Sequence, residues 1–226
     1  MATWVITGAN RGLGLEFTKQ LLDEGHTVVA GVREPQSMPF NHETMTVIQL
    51  DVSSTESVQN FAKELRLICD SIDVLVNNAG RMDGRWQSIE DVDPELSLDV
   101  LNVNTIGPLR VSQALWPLLQ GSNLTKIANI SSLMGSIDDC MSGKSYAYRT
   151  SKTGLNMITK ILAVEGQGEN ITVTSYHPGW AKTDMGGERA PVSAHDSVQG
   201  LIALIRQQED DRTGGFFEYT GVELSW

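Results

Sequence analysis

The stretch from Thr3 to Gly14, TWVITGANRGLG, is where the reading of the fold is decided. A short apolar run from Thr3 to Thr7 leads straight into Gly8, Gly12 and Gly14, and Leu13 to Glu24 then carries helical spacing until Gly25 stops it. Strand, glycine turn and helix in that order suit a phosphate. Glycine allows a tight turn and close approach of a pyrophosphate, whose charge is stabilised by the amides at the helix N-terminus. Gly8, Asn10, Arg11, Gly12, Leu13 and Gly14 are therefore the candidate nucleotide-binding turn. A bare glycine triplet also occurs in structural turns, and its place after the first strand and before a helix favours the nucleotide.

Outward from this stretch, Thr27 to Val32 reads as a second strand, at whose end an NAD-specific site would set an acidic residue against the ribose hydroxyls. The sequence has Arg33 there. A guanidinium at this place, with Arg11 from the glycine turn, suits the 2'-phosphate of NADP, because it can hold phosphate oxygens bidentately. NADP(H) is thus expected ahead of NAD(H), with surface arginines that hold no ligand as the plain alternative. Strand three, Thr46 to Leu50, ends in Asp51 and Val52, and Ser53 to Glu56 reads as a capping box for a helix to about Ile68. Strand four, Val74 to Val76, is followed by Asn77, Asn78, Ala79 and Gly80, small enough for backbone to pass close to a cofactor.

Asp93-Pro94-Glu95 opens a helical stretch to about Gln120, in which Gly107-Pro108 should break hydrogen bonds and bend the axis just after Asn104. Strand five, Ile127 to Ile130, delivers Ser131 and Ser132. Strand six, Thr172 to Tyr176, ends in His177, Pro178, Gly179 and Trp180, and the segment from there to Pro191 reads as a short substrate loop. Ser193 caps a helix to about Gln207, and Gly215 to Tyr219 makes a last strand. The expected fold class is α/β: one Rossmann-type domain over residues 1–226, a doubly wound parallel sheet with helices on both faces. Ligands of such sheets bind outside the carboxyl ends of the strands.

Ser145 to Glu165, SYAYRTSKTGLNMITKILAVE, sets Tyr148 and Lys152 one helical turn apart on one face. Leu155, Ile158 and Leu162 form one apolar stripe and Met157, Ile161 and Val164 another, so this helix is expected to be buried on two sides. A tyrosine titrates near ~10 unless a cation stabilises its phenolate; Lys152 is placed to do that, and bringing Tyr148 down by ~3 units asks roughly 4 kcal/mol of Lys152 together with the cationic cofactor ring. His177 reads as a strand-end residue rather than a base.

Composition bounds the function. With 226 residues, 40% hydrophobic and 20% charged, the chain is of soluble globular type. A net charge of -11 without a basic cluster excludes nucleic acid as a natural partner. No apolar run approaches the ~20 residues of a membrane span, and no charged leader or cleavage site precedes the first strand. Cys69 and Cys140 offer neither a disulfide framework nor metal-ligand spacing, and none of the histidines pairs with them, so no metal is expected and the cytoplasm is the expected location. Asn-x-Ser/Thr matches at Asn123, Asn129 and Asn170 would not meet the glycosylation machinery there.

The motifs taken together resemble the short-chain dehydrogenase/reductase family over the whole chain: TGANRGLG from Thr7, NNAG from Asn77, Asn104, NISS from Asn129 and YRTSK from Tyr148. YAYRTSK, HPGWAKTDMGG and the terminal Trp226 look like its C-factor and sniffer-type carbonyl reductase branch. The resemblance implies that Tyr148 gives a proton to a substrate carbonyl and that Lys152 lowers its pKa and holds the nicotinamide ribose. It implies that Ser132 polarises the carbonyl, that Asn104 holds a water relaying protons to Lys152, and that Thr183 meets the carboxamide. A small carbonyl or alcohol substrate and a homodimer or homotetramer follow from the same resemblance. The competing expectation is an NADP(H)-binding sensor or signalling protein of the same fold, and a methyltransferase is a distant third that leaves Tyr148 unexplained. Met82, Trp86, Met134, Met141, Trp180 and Met185, in three loops at one sheet edge, suggest a wall for an apolar carbonyl, whereas Asp138 or Asp139 turned inward would favour a cation.

Overall fold

In the computed structural model, which describes residues 1–122, 124–208 and 212–226, strands and helices alternate along the chain. The strands are β1 Thr3–Thr7, β2 Thr27–Val32, β3 Met45–Gln49, β4 Val74–Asn77, β5 Thr125–Ile130, β6 Ile171–His177 and β7 Phe216–Glu218. The helices are α1 Gly12–Asp23, α2 Thr55–Leu65, α3 Pro94–Leu101, α4 Gly107–Leu119, α5 Tyr146–Glu165 and α6 Ala194–Arg206. All seven strands pair in parallel in the order β3-β2-β1-β4-β5-β6-β7. The winding reverses between β1 and β4, so the loops leaving these two neighbours part and a crevice opens above them.

Period-two alternation sorts the strand residues onto two cores. Trp4 and Ile6 of β1, Val76 of β4 and Ile130 of β5 pack with Phe17 and Leu21 of α1 and Leu201 and Ile205 of α6. Val5, Leu75 and Ile127 of the same strands face the other way, onto Phe61 of α2, Leu115 of α4 and Leu162 of α5. A sheet covered on both faces is what near-continuous apolar strands require.

The long helical stretch after Asp93 is interrupted around Asn104, just ahead of Gly107-Pro108. Asn102–Ile106 form a turn of π-helix between α3 and α4, the widening by which a helix absorbs an irregular backbone. The cap of α2 is shifted by one residue from the expected box: Ser54 is the N-cap and its hydroxyl accepts from the Ser57 N–H at 3.2 Å, while Ser53 turns to Asp51. Helix α5 is covered on one side only. Leu155 and Leu162 are buried, but Met157, Ile161 and Val164 are half or more exposed, so the expectation of burial on both sides fails for the second stripe. Of the three Asn-x-Ser/Thr matches, Asn129 is buried in β5 between the Asn77 and Thr159 side chains, and Asn123 lies outside the described residues.

Gly14 fixes how closely α1 may approach β1. A Cβ here would lie 2.6 Å from the Asn78 amide nitrogen and closer still to the Gly8 carbonyl oxygen. Gly14→Ala should therefore destabilise the fold, at the upper end of the ~1–3 kcal/mol typical of overpacking. Urea unfolding measures it, and a midpoint equal to wild type would show that the contact relaxes freely.

Candidate active site

The crevice above β1 and β4 is a cleft of about 830 Å³. It is lined by Gly8, Asn10, Arg11, Gly12 and Leu13 with Arg33, Asp51 and Val52, by Asn78, Ala79 and Gly80, and by Tyr148, Lys152, Pro178 and Thr183, the last lying against Gly12 of the glycine turn. Gly8 and Gly12 have φ of 69° and 54°, the left-handed conformation that glycine adopts without steric cost.

Several of these residues also hold the wall together. Asn78 donates from its side chain to the Thr7 carbonyl at 2.9 Å and the Gly8 carbonyl at 3.2 Å, tying the β4 loop to the glycine turn. Thr7 completes the tie, its hydroxyl accepting from the N–H groups of Asn78 and Ala79 at 3.0 and 2.9 Å. Gly179 does not line the cleft; its φ is 72° and a side chain there would strike the Tyr219 ring. It serves the turn after β6. The Asp51 carboxylate accepts from Ser53 N–H at 2.9 Å and Ser53 Oγ at 2.6 Å. Burial alone would raise its pKa, but these bonds, with Arg33 and Arg110 nearby, hold it below the usual carboxylate range.

At the catalytic end Tyr148 and Lys152 are both buried on the cleft face of α5, with the ammonium 5.7 Å from the phenol ring centre. Lys152 Nζ donates to the Ile130 carbonyl at 2.8 Å, which draws α5 onto the end of β5. Gly135 lets the following loop close against it, since a Cβ there would come within 2.8 Å of Lys152 Cβ. Ser132, the N-cap of that short turn, accepts from Met134 N–H at 3.2 Å and lies close enough to hydrogen-bond Tyr148. Asn104, fully buried, has its side chain engaged within the protein. It accepts from Arg81 N–H at 2.9 Å and donates to the Arg81 carbonyl at 2.8 Å and to Ser151 Oγ at 3.0 Å.

The electrostatics of the pair correct one expectation. Burial pushes Tyr148 up to about 12, outweighing the hydrogen bond from Ser132 and the charge of Arg85. Burial also pushes Lys152 down to about 8. In the protein alone, therefore, Lys152 does not bring the phenol toward neutrality: desolvation of the phenolate dominates, and at pH 7 Tyr148 is a neutral phenol beside a still largely charged lysine.

The apolar wall expected from three loops is only partly assembled. Met82 and Met185 line the cleft, whereas Trp86, Met134, Met141 and Trp180 do not. The Trp180 indole is spent on the Gly186 carbonyl at 2.8 Å. Asp138 and Asp139 are exposed rather than turned inward. In place of the missing apolar groups the wall carries Arg81, Asp83, Arg85 and Asp184, none of which sequence reading had singled out. Ser37 was missed too, although it accepts from Asn10 at 2.9 Å beside Arg33. No spacing rule connects these residues, because chain turns far apart in sequence bring them together. Thr7 alone carried a signal, as the last strand residue before the glycines.

Residues 2–193 match the sequence profile described as short chain dehydrogenase. The chain is 39% identical over 155 residues to C-signal of Myxococcus xanthus, covering 69% of this chain and 93% of that one. The NADPH-bound carbonyl reductase from chicken fatty liver superposes with a TM-score of 0.93 at 31% identity, covering 100% of this chain and 99% of the other. The carbonyl reductase Sniffer of D. melanogaster does so with a TM-score of 0.94 at 32% identity, over 100% of both chains.

The shifted lysine predicts a pH dependence of stability. Between about 8 and the ordinary 10.5 the unfolded chain holds a proton on Lys152 that the folded chain has released, so stability rises with pH across that window; below it the cost of burying the charge is present in full. Lys152→Met, which removes that cost but orphans the Ile130 carbonyl, should be more stable than wild type at pH 7 by about 2 kcal/mol, with the gain fading toward pH 10. Denaturant titrations of both proteins at pH 7 and pH 10 test this. A pH-independent difference would count against Lys152 as the titrating group.

Proposed function

This chain belongs to the short-chain dehydrogenase family, and on that premise we propose that it is an NADP(H)-dependent reductase of a small ketone or aldehyde, able to run the alcohol oxidation in reverse. The observation that carries the reading is the placing of Tyr148 and Lys152 on the wall of the same cleft that the glycine turn opens. The NADPH-bound neighbour from chicken supports the cofactor assignment. So does the chemistry of the adenosine end, where Arg33 and Arg11 stand and Asp51 is already occupied by Ser53. Glycine amides at the start of α1 would hold the pyrophosphate, Lys152 the nicotinamide ribose, and Thr183 the carboxamide.

When bound, NADPH supplies the hydride that no side chain can supply. The protein's part is the proton and the charge. Tyr148 is in its protonated form at pH 7, ready to donate to the carbonyl oxygen as negative charge develops there. Ser132 Oγ, beside the phenol, orients that oxygen, and Lys152 opposes the charge left on the tyrosine. Asn104, whose side chain bonds the Arg81 backbone and Ser151, would hold a water that relays protons to Lys152. Oxidation of an alcohol needs the phenolate, so the reverse reaction should speed up as pH rises.

The second reading, an NADP(H)-binding signalling protein with little turnover, draws its support from the relative named C-signal. NADPH oxidation against a panel of aldehydes and ketones separates the two. Tyr148→Phe should lower kcat/KM by about 10²–10⁴ while leaving NADPH binding intact, as loss of a general acid does. Tight binding without turnover, unaltered by the substitution, would favour the sensor. Arg33→Ala should weaken NADPH by about 1–3 kcal/mol more than NADH, the worth of a charged hydrogen bond, and equal losses would sink the NADP assignment. The exposed Met157, Ile161 and Val164 stripe supports self-association as a homodimer or homotetramer, which sedimentation at micromolar concentration tests. The free thiols of Cys69 and Cys140 suit a cytoplasmic location.

A further inference from the structure

The loop after β4 runs Arg81-Met82-Asp83-Gly84-Arg85-Trp86-Gln87 and is held in an unusual shape. Gly84 and Trp86 both have positive φ, 65° and 68°, and across from them Lys144 and Ser145 do as well, at 75° and 55°. Left-handed backbone at non-glycine residues persists only where the surroundings enforce it. Here the two segments enforce it on each other: Trp86 N–H donates to Ser145 Oγ at 3.0 Å, and the N–H of the buried Ser145 donates to the Gln87 carbonyl at 3.0 Å. Ser145 immediately precedes α5, so the loop is fastened to the start of the helix that carries Tyr148. The consequence is a fixed position for Arg85, at the catalytic end of the cleft.

The cleft wall holds five cationic side chains, and four have evident employment. Lys152 is bound to the Ile130 carbonyl, Arg81 pairs with Asp83, and Arg11 pairs with Asp184 at 3.4 Å. Arg33 stands at the far end near Asp51, where the nucleotide would lie. Arg85 shares the wall with Tyr148, Met82 and Met185, lies 5.1 Å from the Trp86 ring centre, and has no ion pair among the described residues. Stacking on an aromatic face holds the guanidinium plane while leaving its edge of N–H donors available. Its charge reaches the phenol, where it opposes the effect of burial on Tyr148. In a chain of net charge -11 an anion gains nothing from the general field, so an unpaired cation at the reacting end is a local and selective attraction.

We propose that Arg85 is a specificity residue for the substrate, which we infer to be a carbonyl compound that also carries a carboxylate: the guanidinium holds the carboxylate while the carbonyl lies at Tyr148. The planar fork of arginine matches a carboxylate with two parallel N–H···O bonds, which fixes orientation as well as charge. This rests on the reductase reading above. The chemistry at the carbonyl is that of the simple reduction. The C=O π bond is replaced by C–H and O–H: the carbon takes a hydride, which carries both electrons, as NADPH becomes NADP⁺, the oxygen takes the Tyr148 proton, and the carboxylate is unchanged.

The test pairs substrates that differ only in that charge. Using the full chain and NADPH, kcat/KM is measured for 4-carboxybenzaldehyde and 3-carboxybenzaldehyde and for the methyl ester of each. For at least one isomer the acid should be preferred over its ester. That preference should fall about tenfold in Arg85→Ala, the loss expected for one charge-assisted contact, be partly kept in Arg85→Lys, and reverse in Arg85→Glu. Raising the salt from 0.05 to 0.5 M should shrink it in wild type and Arg85→Lys but not in Arg85→Ala, as screening of a partly exposed ion pair requires. As a readout apart from turnover, 4-(hydroxymethyl)benzoate should quench tryptophan emission in wild type and not in Arg85→Ala. Turnover of both members of each pair, with an acid-to-ester ratio untouched by Arg85→Ala, would overturn this proposal while leaving the reductase reading in place. Absence of NADPH oxidation with every aldehyde would overturn the reductase reading and this proposal with it.

Discussion

Hydrogen bonds between the Asn78 side chain and the carbonyls of Thr7 and Gly8 hold together the one place where the winding of this sheet reverses. Parallel strands need crossovers, and where the crossovers turn from one side to the other two neighbouring loops diverge. Left to themselves, the backbone groups at the ends of β1 and β4 would lose partners as the chains part. Thr7 and Asn78 satisfy them from the side, with hydroxyl and amide standing in for a ladder that has ended. The glycine turn is thereby fixed against β4, on the wall of the cleft. Gly14 is part of the same constraint, since any larger residue would push α1 away from this seam.

The second half of the site is built on a seam of similar kind. Lys152 binds the Ile130 carbonyl, Gly135 packs against the Lys152 backbone, and Ser131 donates to Asn156 at 2.7 Å, so the β5 loop and α5 move as one body. This places Ser132 and Tyr148 side by side, and Thr153 of α5 adds a hydroxyl bond to the Gly135 carbonyl at 2.9 Å. It also buries them. Burial is what raises the phenol and lowers the lysine, and the two shifts oppose ionisation of the tyrosine in the protein alone. The phenol thus keeps its proton at neutral pH, and further positive charge is what would bring the phenolate within reach.

Charge on the cleft wall is distributed with some economy. Most cations there are matched within the protein, by a carboxylate or a carbonyl, and among the described residues the two with neither an ion pair nor such a carbonyl are Arg33, beside Asp51, and Arg85, beside Tyr148. A chain of this acidity has no general attraction for anions, so these two positions define where negative charge is welcome.

The sequence by itself determined the strands, their parallel pairing and the glycine turn, because these rest on local period and on residues with special backbone freedom. It also identified Tyr148 and Lys152, since a helical turn brings residues four apart onto one face whatever the rest of the chain does. The sequence did not determine the protonation of that pair. A lysine near a tyrosine suggests a lowered pKa, but the sign depends on how much water is removed, and burial is a property of the packed fold. The same holds for the exposed second stripe of α5, whose apolar residues look identical to the buried ones until a sheet covers one set and leaves the other. Arg85, Asp184 and Ser37 were illegible for a further reason: each owes its place to a loop turn and to contacts with segments distant in sequence. Local pattern sets the frame because helix and strand geometry are short-ranged, whereas the lining of the cleft is decided where loops from several strands meet.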